Sequence, residues 1–85
     1  MNSSIVIALP KIDDAKKIRT ILNRHGFSVA AVCSTASTAL ASMSELDGGI
    51  LICGYKLTDR YYRDVLEDIP SYFEIIGPSL SMAFT

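Results

Sequence analysis

The sequence predicts an α/β fold built on a parallel sheet. Three observations predict it. Short apolar runs rich in β-branched residues recur along the chain, and they are continuous rather than alternating, as strands covered on both faces are. Between them lie segments whose apolar residues repeat at three- and four-residue steps, the helical period. The resulting order, β-α-β-α-β-α-β with short connections, implies parallel strands joined by right-handed crossovers.

The first strand is Ser4 to Leu9 (SIVIAL), and Pro10 ends it because proline cannot donate to a ladder. A helix over 12–25 follows, with Ile12, Ala15, Ile18, Ile21, Leu22 and His25 on one face. Asp13 and Asp14 sit in its first turn, where the helix dipole favours anions, and Arg24 and His25 in its last. Gly26 is the expected left-handed residue just past its end. Phe27 to Val32 makes the second strand. Ser34 or Thr35 can cap a second helix over about residues 35–46, with Ala36, Ala39, Leu40, Met43 and Leu46 as its apolar positions. Asp47-Gly48-Gly49 breaks the chain before the third strand, Ile50 to Cys53. Thr58 or Asp59 can cap a third helix with Tyr62, Val65, Leu66 and Ile69 on one face, stopped by Pro70. Tyr72 to Ile76 reads as a fourth strand, closed by Gly77-Pro78. The closing SLSMAFT carries no clear pattern, so the chain is expected to hold one domain over 1–85 that stops within a fold.

Bulk properties narrow the function. The chain has 85 residues, 49% of them hydrophobic and 20% charged, which excludes a disordered polar tail and allows one small core. Its formal net charge of −1 offers no phosphate-binding asymmetry, so nucleic-acid binding by this chain alone is not expected. No apolar run could span a bilayer. MNSSIVIALPK lacks a basic segment ahead of its apolar run, so no signal peptide is read there. Cys33 and Cys53 have no metal-like spacing and are read as free thiols in a cytoplasmic protein. His25, the single histidine, excludes multi-histidine metal sites.

Four stretches resemble the receiver domain of bacterial response regulators. IVIALPK is similar to the first strand and the loop after it. ILNRHGFSV is similar to the helix end, glycine and second strand. CSTASTAL resembles the small-residue turn and the start of the next helix, and DGGILICGYKL the third strand and phosphorylation loop. The texture is closest to the receiver-like halves of ANTAR-type antitermination regulators. The resemblance implies a flavodoxin-like (doubly wound) sheet of strand order 2-1-3-4-5, here truncated after the fourth strand.

The departures from that family decide the functional expectation. Receivers hold Mg²⁺ with carboxylates and accept phosphate on an aspartate, and magnesium demands hard oxygen ligands. The positions matching the acidic pair are Leu9 and Pro10, and the position matching the phosphoacceptor is Gly54. Ser79 matches the hydroxyl residue after the fourth strand. Glycine has no side chain to attack phosphorus. The expectation is therefore a non-enzymatic, non-phosphorylatable receiver-like module with no metal or cofactor. It would act in transcriptional regulation or antitermination through protein contact. The alternatives are a phosphorelay receiver using a displaced aspartate (Asp13, Asp14 or Asp59) and a truncated remnant with no activity.

Ordinary structural roles compete with each sharper reading. Asp13 and Asp14 complement a helix dipole, and Asp59 caps a helix. Cys53 ends an apolar strand as a small core residue, whereas Cys33 is expected to reach solvent. DRYYRD, residues 59–64, interleaves aromatics and arginines as single-strand binders do, but also fits an amphipathic helix with Tyr62 inward. Finally, an apolar fourth strand left at a sheet edge recruits partners. Tyr72, Phe73, Ile75 and Ile76 are the expected interaction surface of a homodimer or higher oligomer.

Overall fold

The computed structural model describes residues 4–77. Within them the chain forms β1 (Ser4–Ala8), α1 (Ile12–Arg24), β2 (Ser28–Cys33), α2 (Ala36–Ser44), β3 (Gly49–Cys53), α3 (Tyr62–Leu66) and β4 (Phe73–Ile76). All four strands are parallel in the order β2-β1-β3-β4. This is the flavodoxin-like α/β sheet through its fourth strand, as the element order predicts. The pairing of β1 with β3 is regular, whereas β2 carries one extra residue, Ala30, between the partners of Ile5 and Val6.

Apolar burial is unequal on the two sheet faces. On one face Val6, Ala8, Leu51, Cys53 and Phe73 meet α2 and α3 through Ala36, Ala39, Met43 and Val65, and Leu57 closes the cluster. On the other, Ile5 and Ile7 meet α1, whose single fully buried residue is Ala15. Ile18 and Leu22 pack around them, with half-buried Ile50 and Ile52. The predicted α1 face is thus too wide. Ile12 is 37% and Ile21 54% exposed, and His25 is exposed as the C-terminal cap. A helix resting on one sheet face buries a narrow stripe, and residues on its flanks stay wet.

Local chemistry sets the ends. Past α1, Gly26 takes φ +86°, its N–H donates to the Asn23 carbonyl (3.1 Å), and Phe27 N–H reaches back to Leu22 (3.0 Å). That double closure is a Schellman motif, and it needs the left-handed glycine. It also spends Phe27 on the turn. β2 therefore begins at Ser28, one residue later than expected, and Phe27 is 54% exposed. Thr35 caps α2, its Oγ1 accepting from Thr38 N–H at 3.2 Å. Gly49 begins β3 where a Cβ would strike the Ser4 carbonyl, with its carbon only 2.9 Å away.

Candidate functional site

In an open parallel sheet, ligands bind outside the carboxyl ends of the strands where the strand order reverses. Here that point lies between β1 and β3. Gly54 N–H donates to the Ala8 carbonyl and Leu9 N–H to the Cys33 carbonyl, both at 3.0 Å, so the three strand ends stay in register one residue past the sheet. The side chains that meet there are apolar. A Cβ built on Gly54 would lie 3.1 Å from Leu9 Cδ2 and 3.4 Å from Pro10 Cδ.

The structure thus brings Leu9, Pro10 and Gly54 together, and their side chains supply no oxygen. A hard divalent cation does not fit this donor set. Among the described residues, no group of three or more His, Cys, Asp or Glu comes together elsewhere. Ser79 lies outside the described residues.

Beyond Gly54 the chain folds into a tight hairpin-like loop. Tyr62 N–H donates to the Tyr55 carbonyl (2.8 Å) and Leu57 N–H to the Arg60 carbonyl (2.7 Å), flanking an antiparallel bridge between Lys56 and Tyr61. Leu57 drops into the core at 1% exposure. Tyr55 meets Tyr61 edge to face at 6.0 Å, and the Lys56 ammonium stands 5.3 Å from the Tyr61 ring centre. Arg60 pairs with Asp68 at 2.6 Å on the surface.

The tip of this loop corrects an expectation. Thr58 and Asp59 do not cap α3. That helix begins at Tyr62, behind Tyr61, with no side-chain cap. Asp59 instead reaches across to α2, its carboxylate accepting from Ala36 N–H (2.7 Å), Ser37 N–H (3.2 Å) and the Ser37 hydroxyl (3.2 Å). Thr58 donates from its N–H (3.2 Å) and its hydroxyl (3.1 Å) to the Ser34 carbonyl. The hairpin turns the loop tip away from α3 and onto the neighbouring helix, whose free N–H groups attract a carboxylate. The Ala36 N–H, then Ser37, holds the Asp59 carboxyl below its ordinary value. Asp13 and Asp14 lie exposed in the first turn of α1. Tyr62 is half-buried against the core, but Leu66, expected on the same face, is 41% exposed because α3 ends after barely more than one turn.

The cysteines divide differently from expectation. Cys53 is a core residue, and burial pushes its thiol up to about 11. Cys33, expected to reach solvent, is 2% exposed because it closes β2 inside the larger cluster. Burial raises its thiol too, with the Ser42 hydroxyl opposing in part. At the other end of the sheet, β4 lies at an edge. Tyr72 and Ile76 are exposed and Ile75 half-buried, but Phe73 is turned into the core and does not present its side chain to a partner.

Comparisons with known proteins place the fold. No family model matches the chain, and no curated protein does. Among the described residues, no helix is long and apolar enough to cross a membrane. Among solved structures, the chain is similar to the anti-anti-sigma factor PhyR from Bartonella quintana, at 16% sequence identity and a TM-score of 0.76. The match covers 91% of this chain and 33% of that one, so this chain spans about a third of the neighbour's length. The likeness shows a receiver-like α/β fold.

Proposed function

We propose that this chain is a receiver-like signalling module that works by protein contact and accepts no phosphoryl group. One observation carries the reading: Leu9, Pro10 and Gly54 meet in the crevice between the ends of β1 and β3, and none of the three carries a side-chain oxygen. Phosphoryl transfer to a carboxylate needs the carboxylate and a cation that neutralises the incoming charge, and these residues supply neither. The aspartates that could substitute have other work. Asp59 is bound to the start of α2, and Asp13 and Asp14 complement the α1 dipole. The module is not an enzyme on this reading, and it needs no cofactor. Its place is in cytoplasmic transcriptional control. Likeness to an anti-anti-sigma factor supports that, and the sequence texture of the ANTAR type supports antitermination within it.

The test is incubation with acetyl phosphate and Mg²⁺, followed by intact mass and peptide mapping. The expected result is no mass increase. A stoichiometric phosphoryl adduct on Asp13, Asp14 or Asp59 would establish the displaced-aspartate reading instead.

A further inference from the structure

Among the described residues the sheet has two edges, β2 and β4, and they are built differently. β2 carries the extra residue Ala30 in its pairing with β1, with Ser28 and Ala30 exposed. A bulge of this kind twists an edge away from further pairing. β4 has no such device. Its pairing with β3 runs without a register shift from Phe73 to Ile76, it contains neither lysine nor proline, and exposed Tyr72 and Ile76 lie at its ends. Glu74 is its one charge.

We propose that β4 pairs antiparallel with β4 of a second copy about a two-fold axis, joining the two sheets into one. The inference rests on the reading of this domain as a contact module and names the contact. A second copy suits this edge for two reasons. The net charge of −1 sets up little repulsion between copies. The strand is also self-complementary when the axis passes at Ile75. Ile75 then faces Ile75 of the second copy, and Glu74 faces Ile76, so no carboxylate stands directly opposite its mate, an arrangement that like charges disfavour. Centring on Glu74 would put the two carboxylates face to face. Phe73 keeps its place in the core throughout, since pairing uses the backbone edge.

Sedimentation over a micromolar-to-millimolar series should show one copy passing to two. Ile76→Lys, at a position 39% exposed, should keep the native circular dichroism and weaken association tenfold or more. Ile75→Cys should form an intermolecular disulfide under mild oxidation much faster than Glu74→Cys, because directly opposed Cβ atoms are close and diagonal ones are not. A one-copy mass at every concentration, association unchanged in Ile76→Lys, or equal cross-linking at 74 and 75 would each overturn the pairing. No phosphoryl donor is present in these measurements, so their failure leaves the reading of the strand-end crevice untouched.

Discussion

Asp59→Ala tests how the loop after β3 is held. The carboxylate accepts three hydrogen bonds from the first turn of α2, two of them from backbone N–H groups. Losing a side-chain cap costs about 0.5–2 kcal/mol. Two facts place this one near the middle, at about 1 kcal/mol. The site is exposed, so water can replace the lost acceptor. Thr35 still caps Thr38, and Thr58 still binds Ser34. For a domain of this size the melting temperature should fall by about 4–8 °C. The pH dependence is the sharper signature. Asp59 has its folded pKa depressed, so its contribution is complete above the unfolded value of about 3.9 and is lost as pH falls through the folded value. Urea unfolding of wild type and Asp59→Ala should therefore differ at pH 7 and converge as pH falls through the depressed folded value. Equal stabilities at pH 7, or a difference that persists unchanged into acid, would refute the account of Asp59 as a clasp between loop and helix.

Two glycines should respond very differently to alanine. Gly49→Ala drives a Cβ into the Ser4 carbonyl between two central strands, and the chain should lose about 3 kcal/mol or more and fail to accumulate folded. Gly26→Ala meets no neighbour within 4 Å and should cost only the left-handed backbone penalty, about 1 kcal/mol, read from the same urea titration. The thiols should be silent. At pH 8 neither Cys33 nor Cys53 should react with an aromatic disulfide reagent in the folded protein, and both should react on adding denaturant. Rapid labelling of either thiol in the native state would contradict the burial described above.

The elements were legible because the pattern that names them is local. Ile5 to Ala8 and Ile50 to Cys53 are continuous apolar runs rich in β-branched residues, and burial on both sheet faces is why. Ala36, Ala39 and Met43 recur at the helical step and are all fully buried. What escaped was set by geometry between elements. Asp59 looks like a cap for the helix that follows it. Nothing local says that the hairpin from Tyr55 to Tyr62 turns it toward a helix 22 residues earlier in the chain. Ile21 has the period of a core residue, but with one helix on that side of the sheet no neighbour exists to cover it among the described residues. Phe73 reads as an edge residue by position, and strand alternation turns it inward. At the strand-end crevice the residue identities alone indicated missing oxygens. The structure adds that Leu9 and Pro10 physically fill the space beside Gly54.

The unequal faces of the sheet also grade the protein's opening reactions. α1 contributes one fully buried side chain, Ala15, whereas α2, β1, β3 and β4 share the larger cluster around Met43, Leu51 and Phe73. Lifting α1 away forfeits far less apolar contact than separating the strands, and elements held by few such contacts open below the global free energy. Amide protons of α1 should therefore exchange with solvent through a partial opening, while those of β1 and β3 should wait for the whole domain to unfold.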